Sequence, residues 1–78
     1  KRIRFTPDQA PYIREREWHH TQRIEDEEDG GLVLSFKTNN LYETKRWVLS
    51  WGADAEVMEP EELKGAVRRE VGAMGKIY

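Results

Sequence analysis

Apolar and polar side chains alternate over residues 1–5, with Ile3 and Phe5 on one side and Arg2 and Arg4 on the other. That period of two predicts a half-buried strand. The next run, Thr6-Pro7-Asp8-Gln9, reads as a helix start. Thr6 is the cap, Pro7 sits at the first helical position and Gln9 closes a capping box. The helix should bury Ala10 and Ile13. Pro11 removes a backbone donor inside it, so a kink or a short, irregular first turn is expected there.

Alternation returns over residues 18–28, where Trp18, His20, Gln22 and Ile24 oppose His19, Thr21, Arg23 and Glu25. Asp29-Gly30 is suited to a tight turn. Leu32, Leu34 and Phe36 then face one way, and Val33, Ser35 and Lys37 the other. The two runs predict a β-hairpin. Asn39 and Asn40 end the second strand and can cap a helix. On that helix Leu41, Thr44, Trp47, Val48 and Trp51 share a side, and Gly52 stands just past the end, where positive φ is wanted. Residues 55–59 form a short strand. Pro60 opens a last helix at its first position, and Glu61 and Glu62 suit the positive end of its dipole. Leu63, Val67, Glu70 or Val71, and Met74 recur at helical spacing. Gly65 and Gly72 each weaken this helix by roughly 1 kcal/mol relative to alanine, so its end is expected to fray.

The order strand, helix, strand, strand, helix, strand, helix predicts an α+β fold. It is the ferredoxin-like βαββαβ two-layer sandwich with an additional C-terminal helix. Seventy-eight residues make one domain, residues 1–78. The chain opens at Lys1 without a methionine, which reads as one domain excised from a larger protein.

Composition narrows the chemistry. Thirteen basic residues against 15 acidic ones give a formal net charge of −2, unlike the basic footprint of most duplex-DNA binders. No cysteine is present, so disulfides and thiolate metal sites are excluded. No apolar run approaches the ~20 residues of a membrane span. No nucleophile lies near an evident base, and there is no Gly-rich phosphate loop ahead of a helix. No catalytic, metal or cofactor site is therefore expected. His19 and His20, adjacent on a strand, would face opposite sides and could not share a metal from one face. Trp47 and Trp51 read as core material, four apart on the buried side of their helix. The local concentration of Arg14, Arg16, His19, His20 and Arg23 is the candidate effector or partner contact, weighed against ordinary surface pairing with Glu15, Glu17 and Glu25.

The chain also resembles a known module, the C-terminal extension (WCX) of WYL-domain transcriptional regulators. The resemblance is carried by Ile3–Phe5, residues 10–16, Trp18-His19-His20, Gln22-Arg23-Ile24, Gly30-Gly31, Phe36 and Leu41. It continues through Arg46-Trp47-Val48-Leu49-Ser50-Trp51-Gly52, residues 55–60 and Leu63, and it spans residues 2 to 71. Pro11 and the glycines at 65, 72 and 75 depart from the family pattern. The resemblance implies a bacterial, cytoplasmic, non-enzymatic regulator. Its separate N-terminal helix-turn-helix domain would bind DNA, and a central WYL domain would sense a nucleotide or nucleic-acid effector. The module here would aid dimerisation and transmit effector binding to the neighbouring WYL domain and a second subunit. Two rival readings are a stand-alone sensor of amino-acid-binding type, with the same element order, and a single-stranded nucleic-acid binder.

Overall fold

The computed structural model describes all 78 residues. Four strands form one antiparallel sheet: β1 (Arg2–Phe5), β2 (Arg23–Asp26), β3 (Leu32–Ser35) and β4 (Ala55–Glu59). Their spatial order is β2-β3-β1-β4, the ferredoxin-like order. Helix α1 (Ala10–Arg14) follows β1, α2 (Leu41–Leu49) follows β3, and α3 (Glu61–Gly75) follows β4. The extra C-terminal helix is present as expected.

Register places the core. Ile3 pairs with Leu34 and Val57, and Leu34 pairs with Ile24, giving one apolar row across the sheet. Phe5 pairs with Leu32 and Ala55 in the next row on that face. Ala10 and Ile13 from α1, Val48 from α2 and Leu63 from α3 close over these rows, and all are buried. The hairpin turns at Gly30, whose φ is +93°, and the Asp29 carboxylate accepts the Gly31 N–H at 2.8 Å. Gly31 is needed for a different reason. A Cβ there would lie 2.6 Å from the Phe5 carbonyl oxygen.

Two local expectations are corrected. Thr6 and Gln9 do not form a capping box, because both side chains donate to Asp54 instead, at 3.0 and 3.3 Å. Helix α1 therefore starts at Ala10. Pro11 falls in its first turn, where no N–H is required, and of the two alternatives the short, irregular start holds, with residues 7–9 as turns. Pro60 is the N-cap of α3 rather than its first residue. Its backbone is extended, and its carbonyl accepts the Lys64 N–H at 3.0 Å. On the other face of the sheet, Val33 is also buried. Its cross-strand neighbours Arg4 and Glu25 flank it, and long side chains of this kind cover apolar surface with their stems.

Helix α2 starts where expected but ends at Leu49, so Trp51 lies just beyond it. Asn40 Oδ1 accepts the Glu43 N–H at 3.0 Å, and Gly52, with φ +60°, opens a short 3₁₀ turn (Gly52–Asp54) beyond the helix. Helix α3 is buried only near its start, at Leu63, with Val67 packed against the core. Val71 and Met74 continue the apolar spacing but are 54% and 43% exposed. The expected burial thus ends halfway along the helix. No helix is long and apolar enough to cross a membrane.

Candidate functional site

The connection between α1 and β2 departs most from expectation. Residues 18–22 are turns and bends, not strand. The Gln22 side-chain oxygen accepts the backbone N–H groups of Trp18 and His19 at 2.6 and 3.2 Å. His19 Nδ1 accepts the Thr21 N–H at 3.1 Å. Side chains have taken the donors that a sheet ladder would need, so the segment folds on itself. As a result His19 and His20 do not face opposite sides. Their rings stack with centroids 4.5 Å apart and planes 23° apart.

Trp18 is the anchor of this connection. Its indole N–H donates to the Ile13 carbonyl at 3.0 Å, at the end of α1. Its ring lies 5.6 Å from that of Trp47 and 5.7 Å from that of Trp51, and Phe5 meets both of these tryptophans edge-on. Trp47 and Trp51 do pack against the core, as their spacing suggests, but both remain half-buried. The Trp51 indole N–H is buried without a partner.

The five residues of the candidate contact line this connection and the adjoining edge strand without converging on one point. Arg14 is ion-paired with Asp26 of β2. Arg16 lies over the Trp18 ring, 4.7 Å from its centroid. His19 is half-buried between His20 and Phe36, and His20 is exposed. Arg23 begins β2, opposite Ser35, on the sheet face away from the helices.

That outer face is a lattice of ion pairs. Arg2 bonds Glu59 at 2.9 Å and lies 3.9 Å from Glu25; Arg4 bonds Glu27 at 3.0 Å and lies 3.5 Å from Glu56. The hydrogen bond from Arg2 to Glu59, aided by nearby Glu25, holds that guanidinium above its ordinary value. The strands carry no aromatic ring on this face on which a base could stack.

Two concavities flank Trp18. The first, about 310 Å³, is lined by Trp18, His19, Phe36, Asn40, Glu43 and Trp47, with Thr38 and Thr44. The second is lined by Gln9, Tyr12, Glu15, Arg16, Trp18 and Trp51. Sequence reasoning missed the first because Trp47 reads as pure core and residues 18–22 as strand. Its visible signals were the Asn40 cap and Glu43 one turn in.

A family model, the WCX domain, matches residues 2–75. The chain belongs to the WCX domain family. WCX domains are regulatory C-terminal domains of WYL-type regulators and are not a known enzyme family. No curated protein is significantly similar to this WCX domain. Pro11 lies within α1, and Gly65, Gly72 and Gly75 lie within α3.

Proposed function

We propose that this WCX domain serves a cytoplasmic WYL-type transcriptional regulator by joining subunits and passing on effector binding. DNA would be contacted by a separate N-terminal domain of that regulator. The observation that carries the reading is the half-used apolar seam of α3. Leu63 and Val67 meet the core, and Val71 and Met74 carry the same spacing out into solvent, with Ile77 also exposed. An apolar stripe of this kind has a natural partner in a second copy or a neighbouring domain; we assign it to the second subunit. The connection bearing Arg14, Arg16, His19, His20 and Arg23 is then the face toward the WYL domain and a nucleotide or nucleic-acid effector. Effector binding biases a regulator only through contacts that differ between its two states. Arg16, His20 and Arg23 are free of ion pairs, which suits them to such contacts.

The test is made in the intact regulator, with a reporter gene under its control. Val71→Asp with Met74→Asp should abolish regulation while the protein stays at normal abundance. Arg16→Ala with Arg23→Ala should leave its oligomeric state intact and blunt the response to the inducing condition. Normal regulation and response in both variants would overturn the reading.

A further inference from the structure

We infer that the 310 Å³ concavity between the 18–22 turn and the start of α2 is a binding site for a small organic cation. The head group it fits is an alkylated ammonium or a guanidinium. The site shares His19 with the proposed effector face and uses no residue of α3.

Aromatic rings form the walls. Trp18 and Trp47 are tilted 57° to each other with centroids 5.6 Å apart, and Phe36 meets Trp47 at 89° and 6.0 Å. His19 adds a fourth ring, 5.9 Å from Phe36. Half of the lining is thus aromatic, and the face of an aromatic ring attracts a cation. The volume lies at the small end of ligand pockets and is ample for such a head group.

Charge gives the sign. Glu43 is the one acidic residue in the lining, and no lysine or arginine lines it. Glu43 makes no ion pair within the chain, although seven ion pairs form elsewhere. The same fold already puts cations on rings outside this space. Arg16 sits over Trp18 from the second concavity, and Arg46 and Lys45 lie over Tyr42. Phe36, Trp47 and His19 have no such occupant.

An anion is disfavoured by the same geometry. The start of α2 could attract one, but its N–H groups are largely taken. Leu41 donates to the Asn39 carbonyl, Glu43 to Asn40 Oδ1 and Thr44 to the Asn40 carbonyl, at 3.0–3.1 Å. His19 Nδ1 is also committed, accepting from the Thr21 backbone.

Tryptophan fluorescence of the purified chain reads the site directly, because Trp18 and Trp47 line it. The probes are choline, the uncharged alcohol that replaces choline's nitrogen by carbon, N-acetylarginine amide and inorganic phosphate. At least one of the two cations should bind roughly tenfold more tightly than the uncharged alcohol. Choline as the tighter one points to a free alkylammonium ligand, and the arginine amide to a side chain of a neighbouring polypeptide. Glu43→Gln, an exposed change, should weaken cation binding several-fold with the far-UV spectrum unchanged. Equal binding of the alcohol, undiminished binding by Glu43→Gln, or a response to phosphate without one to either cation would overturn the inference. So would no response to any probe.

Discussion

The indole N–H of Trp18 donates to the carbonyl oxygen of Ile13 at 3.0 Å, tying the turn before β2 to the end of α1. Ile13 is fully buried, so its carbonyl has few other partners. Trp18→Phe keeps a ring in the aromatic cluster and removes this bond. It should cost about 1 kcal/mol in denaturant unfolding. Amide exchange should quicken over residues 15–22 and stay unchanged in β1 and β3. An unaltered exchange pattern would mean that the bond does not hold the turn.

Trp51 gives an opposite case. Its ring packs against Phe5 at 5.7 Å, but its N–H is buried and unpaired. An unpaired buried donor costs on the order of 1–3 kcal/mol. Trp51→Phe should therefore lose little, because removing that donor offsets much of the lost volume. Trp51→Ala should lose ~3–5 kcal/mol, enough to unfold so small a domain. Thermal denaturation of the two variants compares them, and equal losses would place the cost elsewhere than in the unpaired N–H.

Two glycines separate crowding from backbone conformation. At Gly31 an added Cβ meets the Phe5 carbonyl oxygen at 2.6 Å, a backbone atom that cannot swing aside. At Gly52 nothing lies within 4 Å, and only the φ of +60° opposes a side chain. Gly52→Ala should cost roughly 1–2 kcal/mol, the ordinary penalty for the left-handed region. Gly31→Ala should cost more, because the β1–β3 ladder must shift to admit it. Chemical denaturation of both variants tests the order.

Much of this fold is legible in the residues. The alternation around Ile3 and Phe5, the Asp29-Gly30 turn, the Asn40 cap and the Gly52 stop each predict their element, and each acts as its chemistry suggests. Where expectation failed, side chains had found partners that the local pattern does not show. Trp18, His20, Gln22 and Ile24 alternate like a strand, but the Gln22 side chain captures two N–H groups and bends the segment. Thr6 and Gln9 fit a capping box, but Asp54, 48 residues from Thr6, takes both. Of the candidate contact, the basic residues were visible and their dispersal was not. Arg14 pairs across to Asp26 and Arg16 turns onto Trp18, and neither partner follows from spacing. The aromatic walls of the concavity come from three separate segments, at Trp18, Phe36 and Trp47, which only the fold brings together.

The outer sheet face predicts a salt response. Arg2 and Arg4 each face two carboxylates there, all partly exposed. Exposed pairs are each worth roughly 0–1 kcal/mol and are screened within about 10 Å at moderate salt. Raising sodium chloride should lower the melting temperature slightly, and Arg4→Met should remove part of that dependence.

The proposed role rests on α3 finding a partner for Val71 and Met74, and sedimentation equilibrium of the purified chain tests this most directly. The native chain should show concentration-dependent association. Val71→Asp with Met74→Asp should be monomeric at every concentration and keep the native far-UV spectrum, since both residues are exposed in the single chain. A native chain that stays monomeric at the highest concentrations, or a double variant that associates as the native chain does, would contradict the assignment of this surface to a second subunit.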